Sequence, residues 1–427
     1  MRKMLIVAAI VTIGAAAYLT TDEQLSPLAN EFLDLKASDN SNVSRAYRIL
    51  LGIHAAEEDD AFEVGSERIS HYREAAGDAG TLDEIVFSDY PQEQAVYVPS
   101  HGDHPLYCYF GDAGCLDEVA LDSDGRRTEL DRLVHLTKRY EEYLSSEEFR
   151  TELAPAINEP MPEYRHLIVA NRMSIFAAYD KAETDQASVA IQDLLGNVRR
   201  LREKLAQSDN VVHKVVTVGQ LRDSLSAIAH IHDRYDAPPM APIPPLTASE
   251  RSFRKPLQNE FQLLSPLAHT PLEYKELWSE EFRGIPRVFR KLYHPNMVVN
   301  ALADDFNQQI QLSEVSVAAF AESMATTTFD GSRFFSVLPS MNKRMKELLE
   351  NDYLKYISRV FDLDVKIALV NSRVTRSNAP PENPYYPGQS AALFEDDGRV
   401  CMEGPLSDDK YTRCLPFTVD SEVAFAD

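Results

Sequence analysis

The chain has 427 residues, 67 acidic and 43 basic, for a formal charge of −24, and 44% of it is hydrophobic. That apolar fraction excludes a disordered chain, and the acidity argues against nucleic acid and anionic membrane surfaces as main partners, because both repel it. Only 16 glycines are present, which disfavours glycine-rich phosphate loops and turn-dense β architectures.

Arg2 and Lys3 precede an uncharged stretch from Met4 to Leu19. A basic end followed by an apolar segment is the pattern of an export signal. Residues 1–21 are expected to be a signal anchor, crossing the inner membrane through residues 4–19, or a signal peptide cleaved near Ala17. The 16 residues from 4 to 19 span about 24 Å as a helix against a hydrocarbon core of about 30 Å, so Arg2, Lys3 and Tyr18 would snorkel at the ends. Either outcome places the bulk of the chain outside the cytoplasm, since the positive end stays inside.

The four cysteines fall in two close pairs, Cys108 with Cys115 and Cys401 with Cys414. In an exported chain an even count of this kind reads as two local disulfides. The gaps of six and twelve residues do not match zinc spacings.

Residues 22–236 read as an acidic N-terminal helical domain. Ser26-Pro27 starts one helix, residues 42–56 carry a second and residues 59–76 a third. Residues 78–114, rich in turn formers and aromatics, read as an irregular loop held by its disulfide. Helix resumes around Cys115 and over 128–144. Residues 162–181, 186–206 and 209–234 form three consecutive helical patterns. In the second, Ile191, Leu194, Val198, Leu201 and Leu205 keep a 3-4-3-4 spacing, a stripe that must bury against neighbours. Short joints make those neighbours antiparallel.

Residues 237–247, with five prolines between 238 and 245, read as an extended linker, or equally as a segment wrapped across one body. Residues 248–376 form a second helical region, ending in a long pattern over 351–372. Residues 377–427 change character. AALFEDDGRVCMEG reads as a β-hairpin turning at Asp397-Gly398, stapled by Cys401 and Cys414 to a final strand. The expected fold is mainly α, an antiparallel helical bundle or array with a small disulfide-stapled β-hairpin cap.

Candidate chemistry is sparse. His230, His232 and Asp233 form the densest set of metal-ligating types, but histidines two apart on a helix face about 200° apart, and a structural role fits them better. His101 and His104 flank a loop and read as solvated. Gly125 with Asp122 and Asp124 resembles part of a calcium loop, but Ala120 holds the first ligand position and Asp131 the twelfth, so a helix start explains the same residues. Glu57 to Asp60 is a charge run of solvated character, and Trp278 reads as core. No nucleophile elbow, zincin, phosphate-loop or dinucleotide motif is present, and no catalytic residue or cofactor is indicated.

Several stretches together carry a resemblance: NVSRAYRILLGIHA, GCLDEV, LVHLTKRYEEYL, ANRMSIFAAYDKA, SDNVVHKVVTVGQLRDSL, LYHPNMVVN and NPYYPGQSAALFEDDGRVCMEG. Their order resembles a family of membrane-tethered, mostly helical envelope proteins of Gram-negative bacteria with no known activity. The nearest thing to its signature is Pro295-Asn296 followed by Asn300. The resemblance implies location and architecture only.

The function expected from these features is a non-enzymatic, periplasm-facing scaffold or interaction module. A small-molecule or lipid binder with a helical cavity, and a metal-dependent hydrolase with an unfamiliar site, are the alternatives. Residues 22–131 hold 25 acids and 7 bases, whereas residues 132–427 hold 42 acids and 34 bases. The acidity is therefore concentrated next to the apolar segment, where it suits another envelope protein with a basic surface.

Overall fold

The computed structural model describes residues 22–34, 43–78, 89–100, 102–156, 158–269, 294–326, 353–376, 381–388, 393–395 and 398–416. The apolar segment 4–19, Ala17, His101 and Trp278 lie outside them. Among the described residues no helix is long and apolar enough to cross a membrane.

The first helices begin where the sequence supplies a cap. Ser26 Oγ accepts from the Ala29 amide at 3.1 Å and opens α1, Pro27–Asp34. Ser44 accepts from Tyr47 and opens α2, Arg45–Leu51. Asp60 accepts from Phe62 and Glu63 and opens α3, Ala61–Asp78. Helix α2 stops at Gly52, sooner than the apolar spacing predicts, because α3 crosses it in backbone contact. A Cβ on Gly52 would meet the Ala61 carbonyl oxygen at 2.0 Å, and one on Gly65 would meet that of Arg48 at 1.9 Å. These two positions need glycine for close approach.

Between residues 89 and 114 the described chain holds only short 3-10 turns at Gln92–Gln94 and Pro105–Tyr107, with the Cys108–Cys115 disulfide at its end. Three helices follow: α4, Cys115–Leu121; α5, Ser123–Arg132; α6, Val134–Ser145. The single helix expected over 128–144 is thus divided, with the buried Leu133 between α5 and α6.

The three consecutive patterns appear as α7, Tyr164–Lys181, α8, Ala187–Gln207, and α9, Val211–Arg234. A tight kinked turn, Ala182–Gln186, with Asp185 in the left-handed region at φ 57°, joins the first two. Helix α9 is the axis of the molecule. It packs on α7, α8 and the late helix α14, Leu354–Val374, and is buried around nearly its whole circumference. Its polar residues His213, Lys214, Gln220, Asp223, His230 and His232 are therefore interior.

The proline-rich segment is fastened along α14. Met240 N donates to Val374 O at 2.9 Å, Ile243 N to Asn371 Oδ1 at 2.7 Å and Leu246 N to Asp364 Oδ1 at 2.6 Å. These donors recur every third residue, the repeat of a polyproline II strand, and all three bind α14. On the other side Arg202 of α8 donates to the carbonyls of Pro244 and Pro245. The hydrophobic core runs without interruption from residues before this segment to residues after it.

Thr247 and Glu250 then form a capping box for the short α10, Ala248–Arg251. Helices α11, Arg254–His269, α12, Pro295–Glu314, and α13, Val317–Thr326, follow. Helix α1 packs on α11 and α12 through an edge-to-face file, Phe32 on Phe261 at 5.4 Å and Phe261 on Phe306 at 5.9 Å.

The C-terminal cap is an antiparallel sheet of β1, Leu393–Glu395, β2, Arg399–Met402, and β3, Cys414–Pro416, in that order. Cys401 faces Cys414 across β2 and β3, and the two are disulfide-bonded. Gly398, at φ +75°, supplies the left-handed residue of the hairpin loop; Asp397 lies outside the described residues. The cap rests on α14, where the buried Lys366 ammonium donates to Cys414 O. It also meets the first disulfide loop: Arg399 donates to Gly111 O at 2.9 Å and Tyr109 OH to Lys410 O at 2.6 Å.

Candidate functional site: the N-terminal clamp and the buried histidines

The residues that follow the apolar N-terminal segment are held by Asn296 and Asn300. Pro295 starts α12, where its lack of an amide N–H costs nothing. The next two amides, of Asn296 and Met297, donate to the Asp22 carboxylate at 2.9 and 3.4 Å. A carboxylate at this end of a helix is favoured by the aligned peptide dipoles. Asn296 Nδ2 donates to Glu23 O at 2.7 Å. One turn along, Asn300 Nδ2 donates to Gln24 O at 2.9 Å and to Glu23 Oε1 at 2.8 Å, while its Oδ1 accepts from Ser26 N at 2.7 Å. Two asparagines at i and i+4 share a helix face, so together they grip the backbone from Glu23 to Ser26. Pro295, Asn296 and Asn300 form a clamp on the chain itself.

The sequence candidates for metal binding are placed otherwise. His230 donates through Nε2 to Asp117 at 3.1 Å, and Tyr179 OH bonds its Nδ1 at 2.8 Å. Arg234 holds the same Asp117 at 3.2 Å. Burial lowers the His230 pKa against the pull of Asp117. This carboxylate–imidazole–phenol string ends on a tyrosine with no solvent exposure, so it braces α4, α7 and α9. His232 leaves it and pairs with its neighbour Asp233 at 3.3 Å. Among the described residues no group of three or more His, Cys, Asp or Glu forms a metal-ligand set. His104 Nδ1 accepts from Leu106 N at 3.2 Å and caps a turn. Asp122 accepts from Gly125 N at 2.9 Å and caps α5, with Asp124 in its first turn, so the calcium-like residues are a helix start.

Spacing offers no signal for the most perturbed groups. His213 has no exposure and is stacked on Phe149 at 3.8 Å. Ser208 Oγ donates to Lys204 O, so it accepts from His213 Nδ1, and Tyr143 OH donates to Nε2 at 2.7 Å. Burial pushes His213 down to about 3, helped by Lys204 and Lys214. Both lysines are themselves lowered by burial, to about 8 and about 7, and donate to backbone carbonyls. Nearby, burial pushes the Glu159 carboxyl up to about 8 and raises Asp209 and Glu260.

His54 and His166 are a second unannounced pair. His54 is 1% exposed, and neither of its ring nitrogens has a hydrogen-bond partner. Its ring centre is 6.0 Å from that of His166, which donates through Nε2 to Val96 O at 2.7 Å. They stand at the end of α2 and the start of α7, too far apart in sequence for any spacing motif.

The described residues form recesses at the surface. One of about 510 Å³ lies between Ala56–Asp59 and Gln94–Tyr97, with Arg132 at its side. Another, of about 530 Å³, lies between α8 and the proline-rich segment and is lined by Leu195, Val198, Met240 and Ile243, with Arg199 among its polar residues.

Compared with family models, with curated proteins and with solved structures, the chain matches none.

Proposed function

We propose that the protein is a non-enzymatic helical scaffold or interaction module facing the periplasm, tethered to the inner membrane through residues 4–19. The observation that carries this reading is the clamp of Asp22–Ser26 on Asn296 and Asn300. A tether that emerged through a slack linker would leave its body free to tumble. Here the Asp22 carboxylate, three residues beyond Leu19, and the Glu23 carbonyl after it are already bonded to α12, which is packed on α11 and α1. A pull on the tether is thereby passed to the core. The two disulfides support an oxidising compartment. In this reading the resemblance to membrane-tethered envelope proteins and the acidity of residues 22–131 belong together, the latter as the surface for a basic partner.

The test is extraction of membranes at alkaline pH, with the mass of the mature N-terminus. Retention in the pellet with an intact N-terminus is the expected result. Release into the soluble periplasmic fraction with Tyr18 as the first residue overturns the tether and leaves cleavage near Ala17. Binding to a basic partner should weaken steeply with salt; salt-insensitive binding would make the acidity a solubility device.

A further inference from the structure

Three ring nitrogens in one place, both of His54 and Nδ1 of His166, are buried without a hydrogen-bond partner. A buried polar atom left without a partner is unfavourable and calls for a water or an ion to account for it. The surroundings limit what that can be. Two imidazoles sharing one ion at a metal–nitrogen distance of about 2.0 Å have ring centres about 5 Å apart at a tetrahedral angle and about 6 Å apart when nearly collinear. The observed separation is 6.0 Å, with the rings tilted by 59°. His166 already donates Nε2–H to Val96 O, the backbone bond that fixes the tautomer and orientation of a ligating histidine and leaves Nδ1 as a lone pair.

No third protein ligand is at hand. Tyr90, 5.3 Å from the His54 ring, accepts from Ala56 N and donates to Asp59. Asp89 is held by Arg68 in two hydrogen bonds. Among the described residues no set of three or more ligands forms. Zinc, which takes four ligands, and Cu(II), which takes a tetragonal set, are poorly served. Arg68 and Arg139 also stand near, although Arg68 is neutralised by Asp89 and Arg139 donates to the carbonyls of Ile53, Ala55, Ala56 and Asp59. Their repulsion on a monovalent ion is half that on a divalent one.

We propose that His54 and His166 form a buried two-histidine site for a monovalent d10 cation, Cu(I), in near-linear coordination. The site is independent of the tether reading, and it lies in the body of the protein whether or not residues 1–21 remain attached.

The test uses the full-length chain in detergent with Ag(I), a redox-inert probe of the same coordination, and with Cu(I) under anaerobic competition with bicinchoninate. The expected result is one equivalent retained through desalting and a raised thermal midpoint, as for any ligand that binds only the folded state. His54→Gln and His166→Gln should each weaken that equivalent at least tenfold, while His230→Gln leaves it unchanged. Absence of uptake by the unaltered chain, or full retention in both variants, overturns the proposal. Should either variant fail to fold, nitrogen-15 spectra of the histidine rings in the unaltered chain decide. One equivalent of Ag(I) should move the signals of two histidines, and spectra that do not change overturn the site.

Discussion

Asn371 of α14 brackets Ile243 from both sides, accepting from its amide at 2.7 Å and donating to its carbonyl at 2.9 Å. One side chain thus supplies both hydrogen bonds that a neighbouring strand would give. It does so at the centre of a segment whose prolines cannot donate. Asn371→Leu leaves both backbone groups of a buried residue unpaired, at about 1–3 kcal/mol each. The expected result is a drop of about 2–6 kcal/mol in unfolding free energy, with a single cooperative urea transition. A change below about 0.5 kcal/mol, the range of ordinary surface substitutions, would show that the bracket contributes nothing.

The clamp predicts a local effect. In Asn296→Ala combined with Asn300→Ala, the Ser26 amide loses its acceptor and the carbonyls of Glu23 and Gln24 lose their donors. Amide exchange at Ser26 should accelerate at least tenfold, with no comparable change in α9. Unchanged exchange would mean that the grip is supplied by Asp22 on the helix start alone.

Acid should destabilise the protein through His213. Its folded pKa, about 3, lies below the unfolded value of about 6.5. The unfolded chain therefore binds the extra proton, and stability falls as pH drops through the window from 6.5 to 3. One such proton contributes up to about 1.4 kcal/mol per pH unit. Glu159 acts oppositely. Its pKa is raised from 4.5 to about 8, so the folded state holds the proton and stability falls as pH rises from 4.5 to 8. Urea midpoints of His213→Gln should lose slope on the acid side, and those of Glu159→Gln on the alkaline side. Parallel profiles for variant and unaltered chain would refute either assignment.

Replacing Cys401 and Cys414 by serine opens a loop for which chain entropy gives about 3 kcal/mol. Because the bond joins facing residues of β2 and β3, the loss should fall on the cap. Exchange should rise in β2 and β3 and at the Arg399–Gly111 contact, while α7 to α9 keep their protection. A uniform loss across the molecule would show that the cap folds as one unit with the helices.

Much of the architecture was legible because it rests on local signals. The stripe of Ile191, Leu194, Val198, Leu201 and Leu205 gave α8, and all five side chains are buried. The cysteine pairs gave the two disulfides, and the alternating run around Gly398 gave the hairpin. The early end of α2 was not legible, because it depends on a backbone crossing between Gly52 and Gly65. Among site residues, Asn296 and Asn300 stood out as a pattern, but nothing local says that their partners are Glu23, Gln24 and Ser26. His54 and His166 gave no signal at all.

The sequence by itself determined the helical class, the disulfide pairing, the acidic N-terminal quarter and the apolar segment before it, since each depends on residue type and spacing along the chain. Tertiary structure decided how these parts engage. It laid the proline-rich segment along α14, because every third residue there keeps an amide to donate. It turned α9 into an axis whose polar residues find partners inside. It set the two disulfide units against each other through Arg399 and Gly111, and it brought the chain after the apolar segment onto α12. Such contacts join residues hundreds of positions apart, and their energy comes from burial and complementary hydrogen bonding, which no local spacing encodes.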